Sequence, residues 1–184
     1  MVSITDALDS YSAFLSGQYP WHHDEFVKRR AAAVEAAAAE AATFNWAYLL
    51  GLNPKPHEQP GIGGMDFSCT GRDGTAFLLE ATALLASTAE QRSGLPNDLP
   101  HGVGVLSTSL THPIRQKVAS KTPQLAGAEM PTVLMIASTH NAAGVLLDTY
   151  TIECLLTSDV SMSIPVGGDW NEMELSAGLE KSIF

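Results

Sequence analysis

The chain has 184 residues and a formal net charge of −10, with 45% hydrophobic and 16% charged residues. This length fits one domain, and this hydrophobic content excludes disorder over the whole chain. No apolar run reaches the ~18 residues of a membrane span, and the N-terminus lacks the basic region of a signal peptide. Two cysteines are too few for a disulfide framework. We expect one cytoplasmic domain over residues 1–184, with a core at about 25–166 and an acidic tail at 167–184.

The charge balance restricts how the protein could bind nucleic acid. The chain contains ten Lys and Arg residues and twenty Asp and Glu residues. A protein that binds nucleic acid over its whole surface shows the opposite sign, because phosphate contacts dominate such binding. Any nucleic-acid site must therefore be a local basic patch on an acidic body.

Two helices are predicted in the first fifty residues. Apolar residues at helical spacing indicate a helix over residues 4–16, with Ser3 as its N-cap. The Ala-rich segment 24–50 predicts one long helix, because Ala has the highest helix propensity. Asp24 is the expected N-cap of this helix, and Gly51 is expected to end it.

A β-hairpin follows a loop rich in Pro and Gly at 51–64. Residues 65–70 and 75–84 form two apolar runs, and the Gly-Arg-Asp-Gly sequence at 71–74 separates them. An Asp-Gly pair between apolar runs is typical of a hairpin turn. Residues 87–104 again have the composition of a loop.

The second half of the chain predicts further alternation of helix and strand. A helix is expected over residues 113–125, with a kink or an early end near Thr122 because Pro123 lacks a backbone N–H. The apolar run 131–137 indicates a strand buried on both faces. A helix at 142–156 and a strand at 161–166 complete the pattern. This order predicts an α/β fold with a central mixed sheet flanked by helices.

Asp66 and Glu80 stand out as candidate functional residues. They lie fourteen positions apart on the two strands of the predicted hairpin, each among apolar neighbours. A carboxylate in such a strand carries a desolvation cost, and two brought together repel each other. A cation between them removes this repulsion, which is how a Mg²⁺ site is built.

These residues resemble the motif of the PD-(D/E)XK nuclease superfamily, which has the restriction-endonuclease-like fold. In that family a hairpin carries an Asp and then a Glu/Asp–any–Lys triplet, and a helix comes before it. Here Asp66 and the triplet Glu80-Ala81-Thr82 occupy these places, and the resemblance covers roughly residues 25–140. Thr82 stands where the family carries lysine, although some relatives move that lysine to the next helix.

The resemblance implies a metal-dependent nuclease. Asp66 and Glu80 would bind Mg²⁺ or Mn²⁺, together with Glu40 or Glu35 of the preceding helix. Lys121 would stabilise developing charge or orient the attacking water, and Gln124 would position the water or the backbone. Because Lys117, Lys121 and Gln124 share one helix face, they would form the local basic patch. The implied activity is that of a DNA endonuclease of restriction, defence or repair type. Such enzymes often act as homodimers.

The sequence leaves alternatives open. Thr82, the net charge of −10 and Pro123 also fit a non-catalytic binding or assembly protein that keeps a nuclease-like scaffold. Asp66 could simply order the hairpin, and the polar residues of the basic helix could form a solvated face. Glu35 and Glu40 are five positions apart, so at most one of them could be a ligand, and surface charges are the more common fate of such residues.

Overall fold

The structure is a computed structural model, and it describes residues 3–59, 63–94, 96, 97, 111–141, 143, 147, 159–162 and 177–180. The described helices are α1 (Ile4–Gln18), α2 (Pro20–Ala32), α3 (Val34–Leu49), α4 (Ala86–Ser93) and α5 (Thr111–Ala126). The described strands are β1 (Lys55–Pro56), β2 (Phe67–Thr70), β3 (Ala76–Ala83), β4 (Thr132–Ala137), β5 (Asp159–Met162) and β6 (Ala177–Glu180). The predicted α/β composition is confirmed, and no described helix is long and apolar enough to cross a membrane.

The first helix begins as its sequence predicts. The hydroxyl of Ser3 accepts a hydrogen bond from the backbone N–H of Asp6 at 3.0 Å, and the Asp6 carboxylate accepts one from the N–H of Ser3 at 3.3 Å. This reciprocal capping box satisfies two N–H groups that the start of a helix leaves free. The helix then buries Leu8, Tyr11 and Leu15 on one face.

The single helix predicted over residues 24–50 is wrong, because two helices occupy this region. Pro20 begins α2 at a position where its missing N–H costs nothing, so Asp24 lies inside the helix and does not cap it. Ala33 separates α2 from α3 with non-helical backbone angles of φ −149° and ψ 71°. Nothing in the Ala-rich sequence requires this break. It folds α2 back against α3, so tertiary packing outweighs local propensity.

A four-stranded mixed sheet supports the rest of the structure. Its strand order is β1-β2-β3-β4, with antiparallel β1–β2 and β2–β3 pairs and a parallel β3–β4 pair. The predicted hairpin is therefore confirmed, with Phe67 opposite Leu79. In the parallel pair, Glu80 lies opposite Leu134.

Aromatic and aliphatic side chains of α1, α2 and α3 form the main core against the β2–β3 hairpin. Tyr11 lies at the centre of this core, and its ring centroid is 4.8 Å from that of Phe26 and 4.7 Å from that of Phe44. Phe67 and Leu79 bring the hairpin into the same buried cluster. Helix α1, which precedes the expected core boundary at residue 25, is thus part of the core.

Several boundaries differ from those predicted. Strand β1 and helix α4 lie in segments whose composition predicted loops. Helix α5 continues through Pro123 to Ala126, so the early end near Thr122 is wrong. Val133 of β4 is 41% exposed, because β4 is an edge strand of the described sheet and is not buried on both faces.

The C-terminal predictions fall largely outside the described residues. Only residues 143 and 147 of the predicted helix 142–156 are described. Strand β5 begins at Asp159 and overlaps the start of the strand predicted at 161–166. It pairs antiparallel with β6, so part of the predicted acidic tail forms a strand.

Candidate active site

One cleft of about 640 Å³ contains the four predicted catalytic residues and Glu40, one of the two alternatives predicted for a further metal ligand. Asp66 and Glu80 enter it from the hairpin, Glu40 from α3, and Lys121 and Gln124 from α5. The other residues lining the cleft are Arg29, Ala36, Glu58, Gly63, Gly64, Ala81, Thr82, Ala83, Leu85 and Lys117. Residues far apart in the chain therefore meet where the hairpin and three helices converge.

Glu80, like Glu40, accepts side-chain hydrogen bonds on both of its carboxylate oxygens. It is buried in β3, yet each of its oxygens accepts a hydrogen bond. Lys121 Nζ donates to Oε1 at 2.5 Å, and Gln124 Nε2 donates to Oε2 at 3.2 Å. These bonds compensate the loss of hydration that burial imposes on the charge.

Gln124 connects the charged pair to the loop before β2. Its amide nitrogen also donates to the carbonyl oxygen of Gly64 at 2.8 Å, and its amide oxygen accepts from Lys121 Nζ at 3.2 Å. Gly64 has φ +142°, a backbone angle that other residues rarely adopt. Gln124 therefore fixes the position of the loop relative to α5 and Glu80.

Asp66 lies just before β2 and is less fully bonded. Its Oδ2 accepts a hydrogen bond from the backbone N–H of Ala81 at 2.7 Å, while its Oδ1 lies 4.0 Å from a guanidinium nitrogen of Arg29. Burial, and to a lesser extent the negative charges of Glu80 and Glu40, together raise the pKa of Asp66 to about 7. The charged form of Asp66 is thus costly unless a cation lies close to it.

Glu40 is buried, so the interpretation of this residue as a surface charge is wrong. The phenol of Tyr11 donates to its Oε1 at 3.0 Å, and the guanidinium of Arg29 donates to its Oε2. Burial raises the pKa of Glu40, and Arg29 acts in the opposite direction. Both oxygens of Glu40 are therefore engaged by protein donors, as both oxygens of Glu80 are.

Glu35, the other possible ligand from this helix, does not line the cleft. Its Oε2 accepts the backbone N–H of Ala86 at 2.7 Å and the hydroxyl of Thr139 at 2.8 Å. It ties α3 to the start of α4 and to the end of β4. This is a structural role.

Three further residues near the carboxylates were not identified from the sequence as part of the site. Arg29 contacts Glu40 and, at 3.4 Å, Glu58, and Tyr11 contacts Glu40 from the core side. The only signal for Arg29 in the sequence was the basic run at 28–30. That run does not single out Arg29, because Lys28 and Arg30 pair with surface carboxylates. No pattern distinguishes Tyr11 from an ordinary core tyrosine.

Thr82 lines the cleft, so the position where the family carries lysine does face the candidate site. The ammonium that reaches Glu80 belongs instead to Lys121 of α5. The structure thus places a lysine beside the second carboxylate from a helix and not from the strand.

Asp66 and Glu80 are two carboxylates that line one cleft, and carboxylate oxygens are the ligands that a hard divalent cation takes. The mutual repulsion of Asp66 and Glu80, visible in the raised pKa of Asp66, is what a cation between them would remove. Within the described part of the chain, no three His, Cys, Asp or Glu side chains are grouped so as to hold a metal ion. The metal prediction therefore depends on Asp66 and Glu80 alone.

The chain was compared with protein families, with curated proteins and with solved structures. No family model, no curated protein and no solved structure matches it. The functional argument consequently depends on the geometry of the cleft.

Proposed function

We propose that the protein is a metal-dependent nuclease that hydrolyses phosphodiester bonds in DNA, on a restriction-endonuclease-like fold. The observation that carries this proposal is the meeting of Asp66, Glu80, Lys121 and Gln124 in one cleft. Two carboxylates and an ammonium at one point suit the hydrolysis of a phosphodiester, which needs charge compensation and an oriented water.

The residues divide the work as follows. Asp66 and Glu80 would hold Mg²⁺ or Mn²⁺, which when bound supplies Lewis-acid activation at the phosphate. Lys121 orients Glu80 and stabilises negative charge that develops on the phosphate. Gln124 holds the Gly64 loop against this group. Water adds to phosphorus, and the P–O bond to the leaving sugar oxygen breaks with transfer of a proton to that oxygen.

The direct test is cleavage of plasmid and linear duplex DNA with Mg²⁺, Mn²⁺ or EDTA. Asp66→Ala and Glu80→Ala should each reduce cleavage by at least about 100-fold, because each removes a carboxylate that binds the cation. Calorimetric titration with Mn²⁺ should show binding to the wild type and none to Asp66→Ala. Asp24→Ala and Glu90→Ala are matched controls, since both residues lie outside the cleft.

Equal cleavage by the wild type and both cleft variants would overturn the proposal. A chain that binds no divalent cation with or without DNA would do the same. Circular dichroism must show that each variant is folded, because Glu80 is buried and bonded.

A second candidate is a non-catalytic binding or assembly protein on the same scaffold. Large apolar side chains are exposed at the end of α3, with Tyr48 63% and Leu49 75% exposed, and Trp46 and Leu50 beside them in the chain. Exposed apolar groups of this kind are typical of contacts between proteins. A cation-binding but cleavage-inactive wild type whose oligomeric state changes on Leu49→Ser would favour this candidate.

A further inference from the structure

A second lysine lines the cleft one helical turn from the first. Lys117 and Lys121 are at positions i and i+4 of α5, so their side chains leave the same face of the helix. Lys117 is half-buried at this face. Both lysines therefore line the same cleft from neighbouring positions on α5.

The two lysines differ in their partners. Lys121 Nζ donates to both Glu80 and Gln124. Within the described ranges, neither a hydrogen bond nor an ion pair engages the Nζ atom of Lys117. Arg29, the third cation of the cleft, is held by Glu40 and Glu58.

The charge of the cleft explains why this difference matters. Four carboxylates line it (Glu40, Glu58, Asp66 and Glu80), against three cations (Arg29, Lys117 and Lys121). Two of these cations are bound to carboxylates. Lys117 is thus the cation of the described lining that is available to an anion from outside.

We infer that Lys117 binds a phosphate of the nucleic-acid backbone next to the bond that is cut, while Lys121 stays with Glu80. This inference rests on the proposed nuclease function and adds the residue that recruits the substrate. Lysine suits this role because its ammonium is a point charge that contacts phosphate without requiring one fixed geometry. Lys117 makes and breaks no covalent bond.

The test is binding of a short fluorescein-labelled DNA duplex, measured by fluorescence anisotropy over a series of KCl concentrations. Ca²⁺ replaces Mg²⁺ so that the probe stays intact during the measurement. Lys117→Gln should weaken binding several-fold and reduce the slope of log Kobs against log salt by about 0.9, the contribution of one phosphate contact. Lys117→Arg should keep most of the wild-type affinity and most of the wild-type salt slope. Lys55→Gln is the matched control, since Lys55 is exposed on β1 and outside the cleft.

Steady-state cleavage with Mg²⁺ provides a second measurement. Lys117→Gln should raise KM with kcat nearly unchanged, because the contact belongs to substrate binding. Its melting temperature should equal that of the wild type, because the lost ammonium has no partner within the described residues.

The outcomes separate the two proposals. If the wild type binds and cleaves DNA while Lys117→Gln keeps the wild-type affinity, salt slope and KM, this inference is overturned and the nuclease proposal stands. A loss of slope equal to that of Lys55→Gln would also overturn it, because it would reflect net charge alone. A wild type that neither binds nor cleaves DNA overturns both.

Discussion

A buried carboxylate and a distant lysine define the centre of the cleft. Glu80 lies in the middle of β3, where water cannot hydrate its charge, and Lys121 provides the compensation from α5. The pair is asymmetric, because Glu80 is buried while the Lys121 side chain is 29% exposed. Removal of Lys121 should therefore destabilise the fold more than removal of the Glu80 carboxylate, because it leaves a buried charge without a partner.

We expect Lys121→Met to lower the free energy of unfolding by about 2 kcal/mol. This is below the ~3–5 kcal/mol of a fully buried pair, since Lys121 is partly exposed. Urea unfolding monitored by circular dichroism measures the change. The double variant Lys121→Met with Glu80→Gln should recover part of the loss, because it no longer buries an uncompensated charge. Equal stability of the wild type and Lys121→Met would mean that the pair contributes nothing.

Asp66 should give the protein a specific pH dependence. Its pKa rises from 3.8 to about 7 on folding, first through burial and then through Glu80 and Glu40. The folded state therefore holds this proton more tightly than the unfolded state. Protonation of Asp66 stabilises the fold at low pH, and this contribution is lost as the pH rises through about 7.

Asp66→Asn lacks this titration, and its amide oxygen can still accept the N–H of Ala81. In buffer with EDTA, the melting temperature of the variant relative to the wild type should increase between pH 4 and pH 8, a range that covers the shift from 3.8 to about 7. Differential scanning calorimetry at several pH values measures this. A constant difference across the range would show that Asp66 titrates normally.

At the scale of elements, the sequence correctly predicted those features that depend only on residues close together in the chain. The Ser3 N-cap of α1 and the turn of the β2–β3 hairpin need only neighbouring residues, and both predictions are confirmed. The break at Ala33 depends on the docking of α2 against α3, so no Ala-rich sequence could reveal it. Strand β1 has two residues and exists only because β2 provides its partner.

The same distinction applies to the candidate site. Asp66 and Glu80 are recognisable because a charge in an apolar strand is unusual, and Lys121 and Gln124 because their spacing follows a helix. Arg29 and Tyr11 reach Glu40 only through the packing of α1 and α2 on α3. Their sequence neighbourhoods give no sign of this contact.

Glu35 shows how one side chain can join three elements. It accepts the first N–H of α4 and the hydroxyl of Thr139 after β4. Glu35→Ala should lower the free energy of unfolding by about 1 kcal/mol, comparable to the loss of a helix cap. Glu35→Gln should lower the free energy of unfolding by less, because the amide oxygen of Gln can take the place of Oε2, which accepts both hydrogen bonds. Urea unfolding compares the two, and equal effects would show that the hydrogen bonds do not stabilise the structure.

At the scale of the whole molecule, the net charge of −10 opposes the approach of a polyanion. The lining of the cleft is also net negative, since its carboxylates outnumber its cations. A bound divalent cation would reverse the local sign. Under the proposed function, cation binding should therefore precede or accompany DNA binding.

Cation binding should also be visible as a gain in stability without any substrate. A ligand at about 100 times its Kd stabilises a fold by about 2.7 kcal/mol. Mg²⁺ or Mn²⁺ should raise the melting temperature of the wild type by several degrees, and EDTA should reverse this. Asp66→Ala should show no shift, while Asp24→Ala should respond like the wild type. An equal shift in Asp66→Ala would place the cation elsewhere.

The parallel pairing of β3 with β4 also bears on how the site is assembled during folding. Asp66 and Glu80 belong to a hairpin whose strands are close in the chain, whereas Lys121 must arrive with the long connection that leads to β4. Local contacts close at a lower entropic cost than distant ones. The acidic half of the cleft can therefore form first, and Glu80 gains its two side-chain hydrogen bonds only when α5 docks. We therefore expect the docking of α5 and the charge compensation of Glu80 to occur together.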